Sequence, residues 1–272
     1  MPELPEVQTV VNHLQPLLSG KIIRSIENPN GYCTVFEYGS PSNYKQFLIG
    51  KKIQSITRRG KYIIFNLNEG FLLIHLRMTG KILLEKPNPA NMKYVSFQLD
   101  FLDDSSLFFQ DIRKFGRIYI SKKLDWLENK LGVEPLSEMF TPNWFYNLLI
   151  NRKRMIKPLL MDQQFIAGLG NIYVDEALWY SGIHPRTLSN KISNNRSNKL
   201  SRSIINILGK AISYNGTTII NFSFGKNNNG KFSDELQIFG KTNTPCPKCG
   251  TPIIKIFIAQ RGTHFCKKCQ KH

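Results

Sequence analysis

Behind Pro5 the apolar residues Val7, Val10, Val11, Leu14, Leu17 and Leu18 recur at the spacing of one helix face, and Gly20 supplies a stop. The chain therefore opens with an amphipathic helix whose start carries Pro2 and Glu3. Short strand-like runs follow at 21–26, 52–58, 61–67, 71–77, 94–101, 107–110 and 117–120. In one of them Val95, Phe97, Leu99 and Phe101 alternate with Ser96, Gln98 and Asp100, the period of a half-buried antiparallel strand. The first half thus reads as a β-sandwich with a leading helix. Leu131-Gly132-Val133-Glu134-Pro135-Leu136 interrupts the periodicity and is read as a hinge. Beyond it the pattern turns helical, at 144–150, 156–161, 172–179 and 200–212. The glycine- and asparagine-rich stretch 225–231 reads as a loop.

Composition changes the picture by its charge. Among 272 residues, 37 Lys+Arg stand against 19 Asp+Glu, a net charge of +18, and a surface so biased attracts polyanions, nucleic acid foremost. No apolar run approaches the ~18 residues that span a bilayer, and the N-terminus lacks the layout of a secretory signal, so the expectation is a cytoplasmic protein without membrane contact.

Four cysteines, Cys246, Cys249, Cys266 and Cys269, form C-x2-C-x16-C-x2-C near the C-terminus. Paired cysteines two residues apart, flanked by turn residues Pro247 and Gly250, suit one tetrahedral zinc closing a small ribbon. Disulfides compete with this reading and fit a reducing cytoplasm poorly. Cys33 stands alone and reads as a small buried hydrophobe.

The opening Met1-Pro2-Glu3 carries chemistry of its own. Once Met1 is removed, Pro2 is a secondary amine with an ordinary pKa of roughly 7.7–8.0, able to attack a sugar C1′ and form an iminium, with Glu3 near enough to move protons. The same residues also make a good helix start, and both readings can hold together. Arg58-Arg59-Gly60-Lys61 is a basic turn whose lysine serves either as a proton donor or phosphate ligand, or as a solvated hairpin tip. Gln163 to Asp175, QQFIAGLGNIYVD, closes one helix and opens another at Asn171. Its new helix start can hold a phosphate, or Asn171 can simply cap an ordinary corner. His75, Arg77 and Met78 end one strand, and Arg113, Lys114 and Phe115 tip a loop. An enzyme that extrudes a base must fill the hole, and Met78, Arg113 and Phe115 are suitable wedges.

In combination the segments PELPEV, RRGKY, HLRMTG, DIRKFG, AGLGNIYVDE and QRGTHFCKKCQ run in order from residue 2 to about residue 270. Together they resemble the bacterial formamidopyrimidine-DNA glycosylases. The resemblance implies an α+β multidomain chain. Its parts would be an N-terminal catalytic β-sandwich with a leading helix at 1–130, the hinge at 131–136, a helix-two-turn-helix domain at 137–225, a loop and connection at 226–240, and a zinc ribbon at 241–272. It implies base-excision repair by a glycosylase and abasic-site lyase that removes oxidised purines from damaged double-stranded DNA, as a nucleoid-associated monomer. Pro2 would be the Schiff-base nucleophile, Glu3 the proton donor and acceptor, and Lys61 the β-elimination lysine. Arg261 would serve the second elimination. His75, Met78, Arg113, Phe115, Arg152 and Asn171 match DNA contacts, Lys157 matches a lysine near the lesion pocket, and Glu6 would order the helix start. The four cysteines would hold one structural zinc. A DNA-contacting histidine common in relatives is replaced here by Met92, and the lesion-capping loop near 217–231 is unusually rich in asparagine. Two alternatives are an endonuclease VIII-like glycosylase for oxidised pyrimidines and a zinc-ribbon DNA-binding protein without activity.

Overall fold

A computed structural model describes residues 1–217 and 230–272. The chain opens with α1 (Leu4–Leu18), whose start is set by a reciprocal cap: the Glu6 carboxylate accepts the backbone N–H of Glu3 at 2.8 Å. Pro5 sits in the first turn, where its missing N–H costs no intrahelical bond. Leu4, Val7, Val10, Val11, Leu14 and Leu18 are buried along one face. Leu17, expected on that face, is 46% exposed because it lies at the edge of the stripe, whereas Leu18 stays at its centre.

The elements that follow are β1 (Ile23–Glu27), α2 (Pro41–Leu48), β2 (Ile53–Arg59), β3 (Tyr62–Leu67), β4 (Phe71–His75) and β5 (Gly80–Leu83). Next come α3 (Pro89–Met92), β6 (Val95–Phe101), β7 (Ser106–Asp111), β8 (Arg117–Ser121) and α4 (Asp125–Lys130). Two antiparallel four-stranded sheets result, ordered β1-β6-β7-β5 and β2-β3-β4-β8. Both sheets and α1 contribute to one apolar core running from Val7 to Ile118, the sandwich expected from the alternating pattern.

The run 71–77, read as a single strand, stops at His75. Arg77 adopts a left-handed φ of 54°, and the chain crosses to the other sheet and resumes as β5 at Gly80. Helix α2 was not anticipated, although Ser40 caps it, accepting the Asn43 N–H at 3.3 Å, and Pro41 begins it. Cys33 is exposed rather than buried, with its thiol donating to the Gly31 carbonyl at 3.5 Å.

The second half holds α5 (Pro142–Ile150), α6 (Ile156–Met161), α7 (Asn171–Ser181), α8 (Asn194–Ser213), β9 (Ile254–Ile258) and β10 (Arg261–Phe265). The break between α6 and α7 is organised by Gln163. Its amide donates to the carbonyls of Met161 (2.9 Å) and Leu169 (2.8 Å) and accepts from Gly168 N–H (2.9 Å). Residues Met1–Leu127 and Asn215–Lys231 form one compact unit, and Glu128–Tyr214 with Phe232–His272 form a second. The segment 131–136 belongs to the second unit, where Val133 bridges to Ile166. The first unit is discontinuous, reclaiming the chain at Asn215, ahead of the division at 225 read from the sequence. The asparagine-rich stretch 227–229 and most of the expected capping loop lie outside the described residues.

Candidate active site and zinc centre

In the first unit, the chain terminus lies among buried charges. Pro2 is buried, as are Glu3 and Glu6, while Met1 is half exposed. Burial lowers the pKa of the terminal amino group from its ordinary value; Lys61 and Arg113 push the same way, and Glu3 and Glu6 oppose them. An amine so placed holds its proton less tightly than a solvated terminus. Glu6 does more than cap α1. Its second oxygen accepts both the backbone N–H (2.9 Å) and the hydroxyl (3.0 Å) of Thr217, tying the helix start to the segment at 215–217.

Lys61 follows Gly60 in the two-residue connection between β2 and β3, where Gly60 takes a left-handed φ of 56°. At 5% exposure it is not a solvated hairpin tip. A buried lysine near the terminal amine has a reason to be there that an exposed one would not. Nearby in the same sheet, His75 ends β4 with its ring edge-on to Tyr62 at 4.7 Å. The Arg77 N–H donates to His75 Nδ1 at 3.1 Å, which leaves Nε2 as the proton-bearing, donating nitrogen.

Met78, Arg113 and Phe115 are all exposed at loop tips of this unit, and the Arg113 guanidinium lies over the Phe115 ring at 4.6 Å. Asp111, fully buried, organises the loop beneath them: its carboxylate accepts from Arg113 N–H (3.1 Å) and Gly116 N–H (2.7 Å). A Cβ on Gly116 would lie 2.3 Å from Cζ of Phe109, so no side chain fits where the loop rejoins the sheet. The motif HLRMTG contained Thr79 and DIRKFG contained Asp111, yet neither was singled out. A small polar residue inside a turn motif was the available signal.

The second unit has its own charged centre. Lys157 is buried, with Nζ 2.6 Å from Asp175 and 3.2 Å from the carbonyl of Gly262. Asn171, first residue of α7, donates its amide to that same carbonyl at 3.0 Å. The other oxygen of Asp175 accepts the His264 N–H at 2.8 Å. Lys157, matched to a lysine near a lesion pocket, is tied inside this unit to Asp175 and Gly262, and Asp175 and His264 are structural partners that sequence reasoning missed. They brace the hairpin next to Arg261, which is exposed. The connection before Arg261 holds two non-glycine residues at left-handed φ, Ala259 (46°) and Gln260 (61°), an uncommon pair for a two-residue hairpin. Arg152, just past α5, donates to the Leu148 carbonyl at 3.0 Å and lies over the Phe165 ring at 5.1 Å.

The four cysteine sulfurs lie within 4.8 Å of one another, with Cys249–Cys266 at 3.4 Å and Cys246–Cys269 at 3.9 Å. A tetrahedral zinc with bonds of ~2.3 Å requires sulfur separations of about 3.8 Å, so the cluster fits the ion. Four thiolates fill its coordination, making it structural. Trp179 donates its indole N–H to Cys246 at 3.3 Å, and Gln270 links the Cys266 N–H to the Ile183 carbonyl, both at 2.9 Å. These outer bonds orient the ligands against α7 and the turn that follows it.

Three family descriptions match this chain in order. They are the formamidopyrimidine-DNA glycosylase N-terminal domain over residues 1–118, the formamidopyrimidine-DNA glycosylase H2TH domain over 131–223, and a zinc finger found in FPG and IleRS over 244–271. A sandwich, a helix-two-turn-helix region and a zinc ribbon on one chain mark the zinc-ribbon class of DNA glycosylases. Formamidopyrimidine-DNA glycosylase of Protochlamydia amoebophila is 42% identical over the full length of both chains, and that of Bacillus subtilis 39% over 99% of each. The wild-type Lactococcus lactis enzyme, solved with DNA containing N7-benzyl-Fapy-dG, superposes with a TM-score of 0.90 at 40% identity over all of both chains. The chain belongs to the formamidopyrimidine-DNA glycosylase family. Among the described residues no helix is long and apolar enough to cross a membrane.

Proposed function

We propose that this chain is a base-excision-repair enzyme that removes oxidised purines, 8-oxoguanine and formamidopyrimidines, from double-stranded DNA and then cuts the strand at the abasic site. The burial of Pro2 together with Glu3, Glu6 and Lys61 at the chain terminus carries this reading. With Met1 removed, the Pro2 nitrogen attacks C1′, the bond from C1′ to the base breaks, and the sugar ring opens to an iminium with Glu3 moving the proton. The iminium acidifies the C2′ proton. Its removal expels the 3′ phosphate, and a second elimination expels the 5′ phosphate. Lys61 and Arg261 stabilise the departing phosphate charge. His75 Nε2, Arg113, Arg152 and Asn171 are assigned to DNA contacts, and Met78, Arg113 and Phe115 to the space left by the extruded base. The zinc takes no part in bond making and holds the ribbon that presents Arg261. The protein would work as a monomer in the cytoplasm, associated with the nucleoid through DNA.

Borohydride trapping on a duplex with 8-oxoguanine opposite cytosine tests the reading, with mass spectrometry confirming loss of Met1. A covalent adduct is expected from the wild type, and Pro2→Gly loses most of it. No adduct from the processed wild type would refute the mechanism, and a clear preference for thymine glycol would redirect the substrate class to oxidised pyrimidines.

A further inference from the structure

Two connections at one end of the sandwich cross from sheet to sheet. The chain passes from β4 to β5 through Met78 and from β7 to β8 through Arg113 and Phe115. Strand pairing borders both connections at both ends, His75 opposite Arg117 and Gly80 opposite Asp111. Between those anchors each carries one non-glycine residue at left-handed φ, Arg77 at 54° and Lys114 at 57°. Strand pairing fixes the ends of the connections, but something else must fix their tips.

Thr79 supplies that link. Its buried hydroxyl donates to the Asp111 carboxylate and accepts the Arg113 N–H at 3.2 Å, so one oxygen bonds to both parts of the second connection. Asp111 in turn receives Arg113 and Gly116. Resting on the function proposed above, we propose that Thr79 is a positioning residue. It joins the turn bearing Met78 to the turn bearing Arg113 and Phe115, so that the wedges enter DNA as one rigid piece. Without this joint each tip would have to be ordered separately while a base is being extruded, and that entropy would be charged to the extrusion step.

Removal of a base from an intact pair needs the wedges throughout; a preformed abasic site has no base to displace. Thr79→Val keeps the shape and removes the hydroxyl, and Thr79→Ser restores it. In single-turnover assays Thr79→Val is expected to slow excision of 8-oxoguanine opposite cytosine by about tenfold, the scale of one buried hydrogen bond. Strand cleavage and borohydride trapping at a preformed abasic site should stay within about twofold, and Thr79→Ser should return excision close to wild type. Equal losses on both substrates, or no loss on either, would overturn the role. A second readout needs no chemistry: at saturating protein on a duplex with a tetrahydrofuran abasic analogue, 2-aminopurine beside the site should unstack and fluoresce less with Thr79→Val than with wild type. Unchanged fluorescence overturns the joint even if the wild type forms no adduct, an outcome that would instead refute the lyase reading.

Discussion

The sandwich buries a continuous core drawn from α1 and both sheets, whereas the core beneath the ribbon consists of Trp179, Ile238, Cys246, Ile253 and Cys266. Two of those five are the cysteines themselves. The first region can afford to bury Glu3, Glu6 and Lys61 because apolar packing holds the frame around them. The ribbon has too little apolar surface to fold on packing alone, so its shape is delegated to a metal. The difference separates a site whose precision depends on hydrogen-bonded charges from one whose precision depends on coordination.

Removing zinc tests this contrast most severely. Chelation, or Cys249→Ser, should expose 241–272 to protease while 1–127 stays protected, and binding to lesion DNA should weaken by tenfold or more, since structural zinc is worth on the order of 10 kcal/mol. Loss of protection in both regions together would dissolve the distinction. Next in size is Lys157→Met, which strands the buried Asp175 carboxylate and should cost about 3–5 kcal/mol in urea unfolding. Adding Asp175→Asn should recover part of it.

In the sandwich, Glu6→Gln keeps the volume but turns an N–H toward groups that already donate, from Glu3 or from Thr217. A loss of about 1–3 kcal/mol is expected, with trapping reduced more than binding. The smallest effect concerns His184, whose ring meets Phe265 edge-to-face and lies tilted against that of His272. Burial, then the charges of His272 and Arg186, hold its pKa down at about 4. Because the folded value lies below the unfolded one, its contribution is complete above pH ~6.5 and is lost as pH falls toward 4. His184→Phe should flatten the fall of stability across that window by at most about one proton; an unchanged slope would remove His184 from the account.

Much of the fold was legible because it obeys local rules. Helix α6 falls where its apolar run placed it, and the alternation from Val95 to Phe101 marks β6. Helix α2 was legible in principle, since Ser40-Pro41 is a start signal, but its flanking pattern is polar. The cysteine spacing announced zinc because coordination imposes a short, countable repeat. Nothing local distinguishes the buried Lys61 from an exposed turn lysine, because its burial is set by the fold around the turn and not by the turn residues. The bond between Lys157 and Gly262 spans 105 residues and that between Asp175 and His264 spans 89, so neither leaves a periodic trace. The ties of Lys157 to Asp175 and Gly262 thus required the structure.

The hydrogen bond from Thr217 to Glu6 joins residues 211 apart. At roughly 5–20 residues per second of synthesis, the acceptor emerges about 10–40 s before its donor exists. During that interval α1 lacks this bond, so the start of the first helix is completed only when the far end of its own unit has been made.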